Sequence, residues 1–377
     1  SRDWFAYYAG WADKIEGSTI PTFPVEGFSY TRAEPYGVVG IITTWNGPLI
    51  LLGMKVAAAL AAGNCVVLKP HELTPFASLR FAQLALEAGL PPGVLNVVPG
   101  GPEAGDRLVR HPDVGKVSFT GGPGVAKEII KASHEVIKPL SLELGGKSAN
   151  LLFADANLDV AVPFAVNFSI VAATGQGCAL GTRLVVEDSI YDEVIERVTS
   201  YLGLLKVGDP QEADTIIGPV ITEASCNRIV GMIDDAVHTG AGRLVTGGSR
   251  IGGDLAGGYF VEPTVFADVD VQSTIAQQEV FGPVLCMMKF SDEEEAIRIA
   301  NATTYGLAAL IQSNDLRRVH YLASQLEAGS IWVNGFPMMA PASPFGGYKQ
   351  SGYGREGGKP GLDEFLQVKN VYVQFPQ

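Results

Sequence analysis

Apolar and polar positions along this chain fall into a repeating rhythm of short and long blocks. Val38 to Thr43, Cys65 to Leu68 and Val94 to Val98 are brief apolar runs, separated by the alanine-rich stretch Met54 to Ala62 and by Ser78 to Ala88. Short apolar runs bounded by turn residues read as buried strands, and strands alternating with helices imply βαβ units and a parallel sheet. Lys116 to Thr120 repeats the strand pattern, Gly121-Gly122-Pro123-Gly124 breaks it, and a helix is expected from Val125 onward. The rhythm returns in Arg183 to Glu187 and the helix after it, in Leu285 to Phe290 and in Ser330 to Val333. An α/β protein with two α/β domains is expected. Gly17 to Pro35 and Gln367 to Phe375, rich in Thr, Val, Phe and Tyr, depart from the rhythm and read as β structure. Gly247 to Gly258 reads as a loop, and no internal repeat or low-complexity tail is visible.

Composition narrows the function classes. Hydrophobic residues make up 47% of the 377 positions and charged ones 18%, enough apolar material for more than one core. A formal net charge of −13 argues against nucleic acid as a partner, because such binding leans on clustered Lys and Arg. No window is expected to have the length of an uncharged membrane-spanning helix, and the start of the chain lacks the charged-then-apolar order of a signal peptide. No membrane association and a cytoplasmic location are the expectation. The cysteines, at positions 65, 178, 226 and 286, are too widely spaced for a zinc ribbon. Reduced thiols and no metal site are expected.

Two residues stand out for chemistry. Cys178 sits in Thr174-Gly175-Gln176-Gly177-Cys178-Ala179-Leu180-Gly181, a small-residue turn after the apolar run Val160 to Ala173, where a substrate could approach the sulfur. Glu143 lies in Leu140-Ser141-Leu142-Glu143-Leu144-Gly145-Gly146-Lys147, a carboxylate in an apolar strand leading into a glycine turn. Held among leucines, it is disposed toward a raised pKa, which suits a general base near neutrality. Cys178 has a plainer reading: a lone Cys beside apolar residues is more often an inert core thiol. The turn Gly121 to Gly124 ahead of a helix offers free N–H groups to a pyrophosphate, but such turns are often only turns. Lys69 ends the strand from Cys65, with Glu72 three residues on; alone, they would pass as an exposed pair at a strand end.

Taken together, Glu143 to Lys147 and Gly175 to Cys178 resemble the paired signature of the NAD(P)-dependent aldehyde dehydrogenase superfamily. The likeness runs from Tyr7-Tyr8-Ala9-Gly10-Trp11-Ala12-Asp13-Lys14 through Gln278-Glu279-Val280-Phe281-Gly282-Pro283 to Pro344-Phe345-Gly346-Gly347-Tyr348-Lys349 and Ser351-Gly352. The resemblance implies an aldehyde dehydrogenase-like α/β fold: a Rossmann-type NAD-binding domain over 1–16 and 36–145, an α/β catalytic domain over 146–350, and a return segment over 351–365. A β arm for oligomerisation, 17–35 and 366–377, would make a homodimer or homotetramer. It implies that Cys178 attacks an aldehyde, that Glu143 activates the water releasing the acid, that Asn46 donates to the oxyanion, and that Glu356 serves proton relay. Lys69 and Glu72 would bond the adenosine ribose, favouring NAD, since a carboxylate repels a 2′-phosphate. Thr43, Trp45, Gly121, Gly122 and Leu144 match further cofactor positions, as do Glu279, for the nicotinamide ribose, and Phe281, against the nicotinamide.

The departures are specific. The family usually has Ser in place of Gly122 and Gly in place of Ala126, which leaves the phosphate contact open. Family chains carry a further N-terminal stretch ahead of the Tyr7 segment, so an N-terminally truncated member is expected. The competing readings are a CoA-acylating dehydrogenase, disfavoured by Glu143, and a non-catalytic scaffold. Apolar residues near Cys178, namely Ile170, Val171, Ala172, Leu180 and Phe336 to Met339, suggest a hydrophobic aldehyde.

Overall fold

The structure, a computed structural model, describes residues 1–335 and 340–375. It divides into two compact units, each built around its own sheet. The first comprises Ser1–Leu144, a short stretch ending at Gly346, and the chain from Gly352 onward; the second runs from Gly145 and takes in the stretch 347–351. The sequence reading kept 146–350 in one domain, whereas the stretch ending at Gly346 packs with the first unit.

The first unit holds a six-stranded sheet in the order Gly352–Tyr353, Leu140–Glu143, Val114–Thr120, Val38–Ile42, Cys65–Lys69, Leu95–Val97. All neighbours are parallel except the first pair. Parallel strands are covered on both faces, which is why Val39, Ile41, Val66, Leu68 and Val117 are all fully buried and their strands read as unbroken apolar runs. From Val38–Ile42 the chain builds outward to Cys65–Lys69 and Leu95–Val97. It then crosses back to place Val114–Thr120 on the other side of the starting strand. That reversal of direction is a topological switch point, where open α/β sheets leave a crevice at the strands' carboxyl ends.

Nine residues of Gly27–Pro35 pair antiparallel with Leu366–Gln374, from Leu366 opposite Pro35 to Gln374 opposite Gly27, and Thr19–Ile20 adds a short third strand. Val368, Tyr372, Val373 and Phe28 stay exposed on this sheet.

The second unit is a seven-stranded sheet ordered Arg243–Thr246, Thr264–Ala267, Val284–Phe290, Arg183–Glu187, Ala149–Leu152, Ala308–Gln312, Ser330–Val333, parallel but for the first pair. Alternation splits its side chains between two cores. Leu151, Val185, Cys286 and Met288 join the cluster with Ile229 and Ile233, while Leu152, Leu184, Val186, Leu285 and Met287 join that with Val194 and Val198.

The membrane expectation needs a correction. Leu158–Gly175 has 18 residues and mean hydropathy 1.5, so by length and composition it could cross a membrane. Half of it is buried, with Ala161, Val162, Ala165, Val166 and Ile170 packed in the second core. Nor is it one regular helix: Pro163 lies within Leu158–Val166, a π turn covers Asn167–Val171, and Ala173 and Thr174 take positive φ of 49° and 55°.

Candidate active site

In the first unit, the crevice at the switch point is a cavity of about 440 Å³. Six of the residues expected around a cofactor line it: Thr43, Trp45, Lys69, Glu72, Gly121 and Gly122. The strand ends Ile42, Lys69 and Thr120 supply its floor, and the helix Pro123–His134 starts at its edge with Pro in the first turn and no side-chain cap. Its first N–H groups are therefore open to an anion. A Cβ on Gly121 would fall 2.4 Å from the Phe119 ring, so that glycine is required by packing; a Cβ on Gly122 meets nothing within 4 Å.

Lys69 is buried, not exposed as a strand-end lysine would be. Its ammonium donates to the Pro70 carbonyl at 3.2 Å and lies 3.5 Å from the half-exposed Glu72 carboxylate. Burial would raise the Glu72 pKa, but its backbone hydrogen bond, His71 and Lys69 together hold it below the usual value. Leu144 is absent from the cavity lining: its side chain is buried in the core with Phe119 and Ile129. Asn46 follows Trp45 in the loop before the helix Pro48–Leu51, half-buried.

Glu143 ends its strand with its carboxyl almost wholly buried. Burial drives its pKa well above the carboxylate range, and the Glu356 charge adds to this against Lys55 and Arg355. The glycines of the distant motif explain themselves here. A Cβ on Gly346 would lie 2.8 Å from Glu143 Oε1, and one on Gly352, at φ +110°, would lie 1.9 Å from the Leu142 carbonyl. Glu356 is no solvated loop charge. It is buried, anchored by paired backbone bonds with Phe345 at 2.6 and 2.7 Å, and ion-paired with Lys55.

Sequence reasoning missed Lys55. It sits fully buried in the π turn Leu52–Val56, donating also to Ser118 Oγ at 2.8 Å. The available signal was a single charge inside the apolar run from Leu49 to Ala62, and π turns of this kind recur at functional positions.

In the second unit, Cys178 lies partly accessible in a turn. The three residues Ala173, Thr174 and Gly175 all have positive φ, and a Cβ on Gly175 would fall 2.0 Å from the Gly282 carbonyl. Strain of this kind persists only where packing imposes it. Gly146 serves the same loop: a Cβ there would sit 2.6 Å from the Cys178 carbonyl. The Gln176 side chain pins the loop by donating to the Ala173 carbonyl at 2.9 Å and accepting from the Ile221 N–H at 3.0 Å.

Glu279 accepts from the Gly146 N–H at 3.1 Å, and a Cβ on Gly145 would lie 2.1 Å from Glu279 Oε2, so any larger residue there would displace that carboxylate. Burial raises its pKa to about 7, opposed by that hydrogen bond and by Lys147 and Arg228. Val280 is core, while Phe281 is half-buried with φ +51°. The apolar lining expected near Cys178 is partly corrected. Ile170 and Leu180 are buried in cores, the half-buried Val171 and Ala172 pack against those cores, and 336–339 lie outside the described residues. Among the described residues, no cluster of three or more His, Cys, Asp or Glu could hold a metal.

Comparison with known proteins bears on the family and the fold. The Aldehyde dehydrogenase family profile matches residues 1–371. Human mitochondrial aldehyde dehydrogenase is 46% identical over 375 residues, 98% of this chain and 71% of that protein. The putative aldehyde dehydrogenase DhaS of Bacillus subtilis is 45% identical over 370 residues, 97% of this chain and 73% of that protein. Among solved structures, a point variant of Staphylococcus aureus betaine aldehyde dehydrogenase, in complex with NAD+ and with a BME-modified cysteine, has TM-score 0.96 at 40% identity. That match covers all of this chain and 77% of the other. The NAD+ complex of a Bacillus cereus aldehyde dehydrogenase has TM-score 0.95 at 42% identity, covering 99% and 75%. The chain belongs to the aldehyde dehydrogenase family. It is an oxidoreductase whose reaction is the oxidation of an aldehyde.

Proposed function

We propose that this enzyme oxidises its aldehyde to a free carboxylic acid with NAD, through a covalent intermediate on Cys178. The observation that carries the reading is the cavity at the switch point, with Lys69 and Glu72 at one end and Gly121, Gly122 and an uncapped helix start at the other. Those groups suit the ribose and pyrophosphate of a dinucleotide, and Glu72 disfavours a 2′-phosphate. When bound, NAD supplies the hydride acceptor.

In this reading the Cys178 thiolate adds to the carbonyl carbon, giving a thiohemiacetal whose oxygen the Asn46 amide and the Cys178 N–H stabilise. One such donor is worth about 3 kcal/mol of barrier. Loss of hydride leaves a thioester, and Glu143 takes a proton from the water that cleaves it. A carboxyl raised by burial is matched to that task near neutrality, and Glu356 with Lys55 would pass the proton on. Glu279 and Phe281 would hold the nicotinamide ribose and ring. Glu143 is the reason to favour water over CoA as acceptor.

The test is NADH formation with a panel of aldehydes, with the product identified. Free acid, NAD preferred over NADP and loss of turnover in Cys178→Ala are expected. An acyl-CoA product, or full turnover in Cys178→Ala, would overturn the reading.

A further inference from the structure

One side chain in the nucleotide cavity has no part in the scheme above. His71 lies between Lys69-Pro70 and Glu72, and its imidazole lines the same cavity. Its Nδ1 accepts from the Leu73 N–H at 3.2 Å and stands 3.9 Å from Glu72 Oε2. Because Nδ1 accepts, the neutral ring carries its proton on Nε2 and offers it outward. A second proton would have to go on Nδ1, facing the Leu73 N–H.

The charges around this ring set its significance. Besides His71, the charged side chains lining the cavity among the described residues are Lys69, Glu72, Asp106 and Glu128. Asp106, on the helix Pro102–Arg110, is bound to Arg110 at 3.0 Å, and Glu128, on Pro123–His134, to Lys131 at 2.6 Å. Lys69 is already paired with Glu72. The lining thus counts one cation against three carboxylates, and His71 is the member able to gain a positive charge in the range of ordinary pH. Burial lowers its pKa first, with Lys69 adding to this and Glu72 opposing it, so the ring takes up its second proton only at a pH below the ordinary imidazole range.

We infer that His71 is a specificity-determining residue for the 2′-position of the adenosine ribose. Neutral, it leaves Glu72 to exclude a 2′-phosphate; protonated, it supplies the cation that a 2′-phosphate needs, so that rejection of NADP weakens in acid. The inference rests on the nucleotide reading of the cavity and deepens it.

The experiment is direct calorimetric binding of AMP and of adenosine 2′,5′-bisphosphate, to the wild type and to His71→Gln, at about pH 7.5 and about pH 5, the acid point set well below the ordinary imidazole value because burial lowers this ring's pKa. The added phosphate itself changes charge near pH 6, equally for both proteins, so the variant is the control. In the wild type, acid is expected to raise bisphosphate affinity relative to AMP by roughly tenfold more than in His71→Gln. His71→Arg should show the raised ratio at both pH values. Equal pH responses in wild type and His71→Gln would overturn the role of His71 alone. Failure of AMP to bind either protein would overturn the nucleotide reading and this inference with it.

Discussion

Glu143 and Glu279 are carboxyls that the fold keeps protonated more readily than water does, and each has a pH signature. A carboxyl whose pKa is raised on folding stabilises the protein below its ordinary value and loses that contribution as pH rises through the folded value. Glu143→Gln should therefore melt higher than the wild type, by a margin that widens from pH 5 to pH 9 in thermal scans; a constant margin would contradict the burial argument. For Glu279, with its pKa at about 7, the ionised form would be the better acceptor from ribose hydroxyls in the role proposed for it. The KM for NAD is expected to rise as pH falls from 8 to 6, and Glu279→Gln should flatten that profile while raising KM throughout. Gly122→Ser, with open space around the new Cβ, should fold normally and bind NAD several-fold more tightly by adding a phosphate donor. At this scale the placement of Cys178 in an accessible turn and of Glu143 in a buried strand was legible, because a thiol among glycines and a carboxylate among leucines contradict their surroundings. Lys55 was not, since its partner Glu356 comes from a distant segment, and neither was His71, since most of the cavity it lines is built by other segments.

The elements most tightly specified are those where backbone meets backbone. Gly352 sits at φ +110° against the Leu142 carbonyl in the strand pair that ends at Glu143. Gly352→Ala should cost roughly 2–3 kcal/mol and reduce kcat with it, measured by denaturant unfolding and turnover. A neutral result would show that this pairing does not position Glu143. Several elements were readable from the apolar pattern, with boundaries moved by a residue or two: the helix at Ser78 to Ala88 became Phe76–Glu87, and the strand at Val94 to Val98 became Leu95–Val97, whereas Ala149–Leu152, Arg243–Thr246, Thr264–Ala267 and Ala308–Gln312 were not read as strands. The backbone just before Cys178 was not readable. Ala173 and Thr174 carry no preference for positive φ, so their conformation is imposed by tertiary packing around Gly175 and Gly282.

For the whole molecule, two sheets with separate cores account for the apolar content, and the alternation within Arg183–Glu187 and Val284–Phe290 shows why one strand feeds two cores. The sheet of Gly27–Pro35 and Leu366–Gln374 was legible as β but not its full nine-residue register, which links segments more than 300 positions apart. Its exposed Val368, Tyr372 and Val373 make an open apolar edge that water does not favour. We propose that it joins copies of the chain: Val368→Lys with Val373→Lys should shift the mass measured by light scattering toward monomer, and an unchanged mass would remove the arm from assembly.

The central claim is that an acyl group passes through Cys178 and that Glu143 releases it. Intact-mass spectrometry of Glu143→Gln, quenched after mixing with NAD and an aldehyde, tests it most directly. The account predicts one acyl group added per chain, mapped to Cys178, and none in the Glu143→Gln, Cys178→Ala double variant. Steady release of acid without an adduct, or an adduct that persists when Cys178 is replaced, would contradict it.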